Sequence, residues 1–204
     1  MSKAGLPIII SAPSGTGKTT TCKRLKERFP SLKIAVSHTT RKIRDGELEG
    51  VDYYFLSSKE FEAKREKNQF LEWAKVHTEY YGTSFETIEK HRQKGFDILL
   101  ELDVQGVNSL RKMNFEGVYI LILPPSIEEM TKRLRKRGTE TEESIERRIN
   151  TGKEEIKSYK KYDYIITNFE VEETVDSILA IIRAEKSSVI RYAATSEDIK
   201  DIMD

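Results

Sequence analysis

The feature that most constrains this chain is a loop of small residues between an aliphatic run and a polar, helix-forming run. Residues 12–19 read Ala-Pro-Ser-Gly-Thr-Gly-Lys-Thr, after the apolar stretch 6–12 and before a predicted helix over 18–28. The pattern G-x-x-x-x-G-K-[ST] is matched except that Ala12 stands at the first glycine. Because such a loop joins a buried strand to a helix, the chain is predicted to be an α/β protein.

Each position in this loop suits the binding of phosphate groups. Gly15 and Gly17 allow the backbone to curl so that successive N–H groups point inward, towards the positive end of the following helix. Lys18 adds a cation, and Thr19 offers a hydroxyl oxygen to Mg²⁺. The predicted site for the phosphates of ATP comprises Ala12, Pro13, Ser14, Gly15, Thr16, Gly17, Lys18, Thr19 and Thr20.

The other aliphatic runs fit a single sheet. Strands are predicted at 6–12, 33–36, 96–102, 118–123 and 164–167, and helices at 18–28, 104–112 and 171–186. Uninterrupted aliphatic strands that alternate with helices indicate a parallel sheet covered on both faces. The predicted fold is therefore a doubly wound α/β core, and the single cysteine, Cys22, is expected to be a small core residue.

Two polar stretches interrupt this alternation and are predicted to be insertions. Residues 39–87 are expected to form a small β-rich subdomain with a helix near 58–67, and residues 126–161 a helical lid with a break at Gly138-Thr139. Thr141 is a candidate cap for the second lid helix. The core would then consist of residues 1–38, 88–125 and 162–204.

Composition excludes several classes of protein. One cysteine cannot form an internal disulfide, which suits a reducing compartment. Lys and Arg number 35 against 34 Asp and Glu, and this balance argues against a dedicated nucleic-acid surface. Neither a signal-peptide pattern nor an apolar run of roughly 18 residues is present. We expect a cytoplasmic protein without a membrane or nucleic-acid partner, either a monomer or a homodimer.

The first insertion contains residues suited to a second phosphate. Arg41 and Arg44, together with two tyrosines from Tyr53-Tyr54 and Tyr80-Tyr81, can bind a phosphate dianion in forked geometry. Glu72 could accept hydrogen bonds from a base with adjacent N–H donors, although taken alone it fits a surface carboxylate. Tyr54 and Tyr80 are assigned to packing, and Trp73 is expected to anchor a core. The histidines, which are not expected to be metal ligands or catalytic bases, are His38, His77 and His91.

Several motifs occur in a fixed order along the chain. They are the loop 12–19, Ser37-His38-Thr39-Thr40-Arg41, Gly50-Val51-Asp52-Tyr53-Tyr54-Phe55, Tyr80-Tyr81-Gly82-Thr83, Leu102-Asp103-Val104-Gln105-Gly106 and Arg137-Gly138-Thr139-Glu140-Thr141. With them, the chain from about Pro7 to Glu185 resembles the guanylate kinases. The resemblance implies a P-loop NTPase core that transfers the terminal phosphoryl group of ATP to GMP, with Mg²⁺, and that also accepts dGMP.

The resemblance also implies roles at matching positions. The phosphate of GMP would be held by Arg41, Arg44, Tyr53 and Tyr81. The guanine edge would be read by Ser37, Glu72 and Thr83, with Asp103 close to the base. Arg137 and Arg148 would reach the transferring phosphoryl group from the lid, beside Lys18 and Arg41, and Asn168 would lie near the base of ATP.

The chemistry of the residues agrees with this assignment. Guanine presents N1–H and an exocyclic amine side by side, which one carboxylate can accept together, whereas adenine does not. Phosphoryl transfer requires positioning and charge neutralisation more than a strong base. Glu101 and Asp103 face the same side of a strand end, where α/β folds bind ligands, and Glu101 is expected to order the magnesium shell through water.

Two other functions fit the same fold. One is a non-catalytic module that binds phosphorylated peptides in the acceptor pocket, and the intact Lys18, Thr19 and lid arginines argue against it. The other is a kinase for a different small acceptor, such as a ribose phosphate. The set formed by Ser37, Glu72 and Thr83 argues against that alternative.

Overall fold

The computed structural model describes residues 4–76, 78–136, 141–189 and 191. The strands are β1 (Pro7–Ser11), β2 (Lys33–Ile34), β3 (His38–Thr39), β4 (Tyr54–Phe55), β5 (Phe70–Val76), β6 (Glu79–Ser84), β7 (Ile98–Glu101), β8 (Val118–Leu123) and β9 (Tyr164–Thr167). The helices are α1 (Lys18–Arg28), α2 (Ser58–Glu66), α3 (Phe85–Arg92), α4 (Val104–Lys112), α5 (Ile127–Lys136), α6 (Glu142–Ile156) and α7 (Val171–Lys186), with a 3₁₀ turn at Tyr159–Lys161.

The central sheet is parallel, and its strands lie in the order β2-β7-β1-β8-β9. Every residue of β1 is buried, and its side chains alternate between two separate cores. Ile8 and Ile10 pack with Cys22 in the core against α1 and α7, whereas Ile9 packs in the core against α3 and α4. A strand buried on both faces explains its uninterrupted aliphatic sequence. The predicted α/β fold and the core position of Cys22 are confirmed.

A second sheet, with strand order β4-β3-β6-β5, lies between β2 and α3 in the chain. It is mixed, since β3 pairs with β4 in parallel and with β6 antiparallel. Helix α2 begins with a capping box between Ser57 and Glu60 and packs Phe61 against this sheet. The predicted packing role of Tyr80 is confirmed, because its ring stacks on Phe61 at a centroid distance of 5.3 Å. Tyr54 likewise stacks on the buried His38, at 4.9 Å.

The prediction that Trp73 anchors a core is wrong. The register of β5 shifts between Phe70 and Glu72, and this irregularity buries both Phe70 and Leu71. Trp73 remains 45% exposed at the margin of the sheet, with the guanidinium of Arg65 over its ring at 4.9 Å. A bulge changes which residues face inward, so simple alternation along the sequence assigns this tryptophan to the wrong environment.

Helices α5 and α6 form a small layer with its own core of Met130, Leu134 and Ile145. Thr141 caps α6 by accepting a hydrogen bond from the N–H of Ser144, as predicted. The second predicted strand, 33–36, is shorter in the structure, at Lys33–Ile34. Among the residues described, none of the helices combines the length and apolar character needed to cross a membrane.

Candidate active site

The loop between β1 and α1 curls as the sequence predicts. Gly15 and Gly17 have φ values of 83° and 100°, in the left-handed region that favours glycine. Gly17 is the N-cap residue of α1, so the first amides of this helix face the space enclosed by the loop. Thr19 and Thr20 are exposed on the first turn, as is Ser14 in the loop, whereas Pro13 is buried and Ala12 packs on the core.

Two side chains from distant parts of the chain donate hydrogen bonds to one backbone carbonyl of this loop. The amide of Asn168 donates to the carbonyl of Thr16 at 2.7 Å, and Nη1 of Arg133 donates to the same oxygen at 3.2 Å. The amide oxygen of Asn168 accepts from the hydroxyl of Thr174. Asn168, predicted to lie near the base of ATP, is therefore buried, with both polar ends of its side chain in use.

Lys18 lies within electrostatic range of a partly buried carboxylate, that of Glu101. Its ammonium donates to the carbonyl of Leu102 at 3.3 Å, after the end of β7. Burial raises the pKa of Glu101, the last residue of β7, and the positive charge of Lys18 opposes this effect. Glu101 also accepts a hydrogen bond from Cys22, whose pKa is raised mainly by burial. Glu101 thus lies within electrostatic reach of the phosphate loop, where a hydrated cation bound to ATP could contact it.

Arg41 lies between an acidic residue and aromatic rings. Its Nη2 donates to both carboxylate oxygens of Glu47, at 2.7 and 3.0 Å. Its guanidinium carbon is 5.5 Å from the ring centre of Tyr53, which meets the ring of Tyr81 edge-on at 5.9 Å. Burial raises the pKa of Tyr53. The neighbouring Tyr81 raises it further, and Glu101 does so more weakly. The structure therefore brings Arg41, Tyr53 and Tyr81 together.

Arg44 has a more open position. Its side chain is exposed, and its backbone N–H donates to Glu47 at 2.9 Å. The hydrogen bond from Arg41 and the one from the Arg44 backbone lower the pKa of Glu47. Glu47 thus links the two predicted phosphate-binding arginines, a role that the sequence analysis missed. The sequence signal for this role was the position of Glu47, three residues after Arg44.

The three residues predicted to read guanine are linked by hydrogen bonds. The hydroxyl of Thr83 donates to Oε1 of Glu72 at 2.7 Å and lies 3.1 Å from the hydroxyl of Ser37. Glu72 and Thr83 pair directly across β5 and β6, which fixes this geometry. Burial raises the pKa of Glu72; the Thr83 hydrogen bond opposes the shift, and Asp103 adds to it. A partly buried carboxylate therefore presents acceptor oxygens beside two hydroxyls.

Asp103 has a structural role as well as a place near this group. It is the N-cap residue of α4, and its carboxylate accepts a hydrogen bond from the N–H of Gly106 at 2.8 Å. Asp103 also raises the pKa of Glu155, after the larger effect of burial, whereas Lys18 lowers it. Glu155, which the sequence analysis did not single out, is therefore within electrostatic range of both Lys18 and Asp103.

The helical layer rests directly on the phosphate loop. A Cβ atom at Gly152 of α6 would lie 3.3 Å from Cβ of Pro13. Arg148 is half-buried on α6, four residues before Gly152 and thus on the same face of the helix. Arg148 is therefore on the side of α6 that approaches the loop. The other predicted lid arginine, Arg137, lies outside the described residues, as does His77.

The structure thus assembles two clusters near the carboxyl end of β7. One contains the phosphate loop and Lys18, and the other contains Arg41, Tyr53, Tyr81 and Glu72. Glu101 interacts electrostatically with both Lys18 and Tyr53. Such an arrangement can hold two anionic molecules facing each other.

Comparisons with known proteins agree with this geometry. A family model described as guanylate kinase matches residues 4–185. The guanylate kinase of Caldanaerobacter subterraneus subsp. tengcongensis is 48% identical over 189 residues, which are 93% of this chain and 92% of the relative. That of Clostridioides difficile is 46% identical over 190 residues, 93% of each protein. The crystal structure of guanylate kinase from Anaplasma phagocytophilum matches with a TM-score of 0.72 and 34% identity, over 94% of this chain and 91% of that one.

Proposed function

The chain belongs to the guanylate kinase family and is an ATP:GMP phosphotransferase, and we propose that its two clusters divide the reaction into a donor side and an acceptor side. The observation that most supports this division is the position of Glu101. Its carboxylate is within electrostatic range of Lys18 of the phosphate loop and, more weakly, of Tyr53 of the second cluster. The two phosphate sites therefore meet at one strand end.

On the donor side, the phosphates of ATP would lie against the amides of the curled loop. The first turn of α1 adds its unpaired N–H groups and its positive end. Lys18 would neutralise charge on the bridging and terminal phosphates. The hydroxyl of Thr19 and, through water, Glu101 are suited to Mg²⁺, because both offer hard oxygen ligands beside the loop. Bound with ATP, Mg²⁺ supplies charge neutralisation and orients the phosphates.

On the acceptor side, Arg41, Arg44, Tyr53 and Tyr81 would bind the phosphate of GMP. Arg41 is already fixed by Glu47, so little side-chain freedom is lost when the phosphate arrives. The phenol groups add neutral donors that do not repel the arginines. Binding the phosphate on one side leaves its remaining oxygen free to attack the donor.

The base of GMP would be read by Glu72, with Ser37, Thr83 and Asp103 around it. The carboxylate can accept hydrogen bonds from guanine N1–H and the exocyclic amine. The hydroxyl of Thr83 holds the carboxylate in place without occupying its second oxygen. With adenine the buried acceptor would lose these partners, and such losses reduce specificity constants by about 10⁴-fold or more.

Transfer itself would depend on Lys18 and Arg41, with Arg148 and Arg137 from the lid. The transition state spreads negative charge over the equatorial phosphoryl oxygens, which guanidinium groups can bind with two donors at once. Closure of the lid would also exclude water, which otherwise competes with GMP as acceptor. We further propose that dGMP is a substrate, and that the protein acts in the cytoplasm in purine nucleotide supply, as a monomer or homodimer without nucleic acid or membrane.

The test is a coupled assay of ADP release with Mg²⁺, ATP and a panel of GMP, dGMP, AMP, CMP and UMP. We expect kcat/KM for GMP to exceed that for AMP by about 10⁴-fold. The Thr83→Val variant removes the hydroxyl but keeps the shape, and it should raise KM for GMP with little change in kcat. Comparable rates with AMP and GMP would contradict the proposed reading of the base.

A further inference from the structure

One backbone carbonyl of the phosphate loop accepts hydrogen bonds from two side chains. Asn168 Nδ2 lies 2.7 Å and Arg133 Nη1 lies 3.2 Å from the carbonyl oxygen of Thr16. Arg133 also donates to the backbone carbonyl of Asn168, from Nη1 at 3.4 Å and from Nη2 at 3.3 Å. The guanidinium therefore bridges the loop and the segment that follows β9.

The direction of this carbonyl determines the direction of the next amide. In a trans peptide, the C=O of Thr16 and the N–H of Gly17 lie in one plane and point in opposite directions. The donors from Arg133 and Asn168 hold the oxygen on the outside of the loop. The N–H of Gly17 is consequently held towards the inside, where the phosphates of ATP are proposed to bind.

Arg133 is itself held in place by its surroundings. Its Nε donates to Glu129 at 2.8 Å, one turn earlier on α5. The next residue, Leu134, packs against the loop so closely that a Cβ atom at Gly15 would lie 2.9 Å from its Cγ. A Cβ atom at Gly17 would lie 2.7 Å from Nδ2 of Asn168. Leu134 and Asn168 are thus packed directly against the phosphate loop.

We propose that Arg133 is a positioning residue for the donor site, which, with Asn168, holds the Thr16 carbonyl outward and so aims the Gly17 N–H at the phosphates. The inference rests on the proposed donor site but adds a residue from outside the loop. It also gives α5, the first helix of the lid region 126–161, a direct connection to phosphate binding.

The test compares the affinities of Arg133 variants for two probes, Mg·ATP and Mg·tripolyphosphate, by calorimetry. Arg133→Ala should weaken the binding of both probes by about tenfold, because the Gly17 N–H would no longer be aimed at the phosphates in either complex. Affinity for GMP should be unchanged, and in the assay KM for ATP should rise while KM for GMP does not. Arg133→Lys keeps the charge but lacks the planar fork of donors that reaches Glu129 and both carbonyls at once, so it should recover only part of the loss.

Lys132→Ala is the matched control, since it removes an exposed cation from the same helix, where Lys132 pairs with Glu128. It should bind both probes as the wild type does. The proposal is overturned if Arg133→Ala weakens the binding of Mg·ATP but not that of Mg·tripolyphosphate, because this would indicate that Arg133 contacts the nucleoside. Full recovery in Arg133→Lys, or an equal loss in Lys132→Ala, would also overturn it, because charge alone would then explain the effect.

Two further outcomes separate this inference from the proposed donor site. If the wild type bound neither Mg·ATP nor Mg·tripolyphosphate, the donor site itself would be wrong. If the wild type bound both and the Arg133 variants bound equally well, only the positioning role would be wrong. Should Arg133→Ala fail to fold in thermal unfolding measurements, Arg133→Lys and Arg133→Gln provide the same comparison.

Discussion

Arg41 donates from a single nitrogen, Nη2, to both carboxylate oxygens of Glu47, at 2.7 and 3.0 Å. Its other terminal nitrogen, Nη1, donates to the backbone carbonyl of Lys42 at 2.7 Å. The guanidinium is therefore fixed on two sides by the protein before any phosphate binds. Glu47 also accepts the N–H of Arg44, so one carboxylate organises the whole segment between the two arginines.

From this relationship we expect Glu47→Gln to weaken GMP binding. Loss of the negative charge removes the charge-assisted bonds that orient Arg41, so KM for GMP should rise by about tenfold with little change in kcat. The matched control is Glu62→Gln, which alters a carboxylate paired with Arg65 on α2 of the same subdomain. A lower KM in Glu47→Gln would show instead that the carboxylate competes with the phosphate for Arg41.

The partly buried position of Glu72 leads to a prediction about pH. Its pKa is raised, chiefly by burial, so the carboxylate takes up a proton at a higher pH than an ordinary glutamate does. The protonated form has lost an acceptor for the guanine N–H groups. Affinity for GMP should therefore have its full value above the raised pKa of Glu72 and should fall as the pH decreases through that pKa.

The phosphate of GMP also titrates, with a pKa of about 6, so the experiment needs a reference. Glu72→Gln supplies it, because this variant retains the phosphate effect and lacks the titrating carboxylate. We expect the variant to bind GMP weakly at neutral pH and the ratio of wild-type to variant affinity to shrink on acidification. Parallel pH profiles for the two proteins would exclude Glu72 as the titrating group.

The sequence predicts well what is determined locally. The helix predicted over 18–28 coincides with α1, and the loop before it has positive φ at Gly15 and Gly17, since both features depend on neighbouring residues. The parallel strands were also predicted, because a strand buried on both faces requires an uninterrupted aliphatic sequence. The grouping of Ser37 and Thr83 with Glu72 was anticipated only through the family resemblance.

What the sequence could not provide depends on contacts between distant segments. Arg133 and Thr16 are 117 positions apart, and an arginine in a run of basic residues gives no sign of such a partner. Trp73 was misassigned because the irregularity in β5 is produced by pairing with β6. The capping role of Asp103 is local, but its effect on Glu72 arises only when the second sheet lies against the core.

Stability should depend strongly on Asp97, far from the proposed active site. Its side chain is 3% exposed, and it accepts the N–H of Leu6 at 2.9 Å and the ammonium of Lys186 at 2.7 Å. Asp97→Ala would leave the buried N–H of Leu6 without its acceptor, at a cost of about 2 kcal/mol, whereas Asp97→Asn keeps an oxygen and should cost less. Urea unfolding would measure this, with Asp176→Ala as control. Asp176 is exposed and paired with Arg28, so its loss should change stability by at most about 0.5 kcal/mol.

Two adjacent arginines on α6 allow a direct test of the lid. Arg148 is half-buried on the face that meets the phosphate loop, whereas Arg147 is exposed and lies 3.6 Å from Glu143. If Arg148 binds the transferring phosphoryl group mainly in the transition state, Arg148→Ala should reduce kcat by about 10²-fold or more, with little change in GMP affinity. Arg147→Ala removes the same charge one residue away and should leave kcat within about twofold of the wild type, because exposed charges are screened. Equal effects of the two substitutions would indicate that α6 contributes only its overall charge, and an unaltered turnover in Arg148→Ala would remove this arginine from the mechanism.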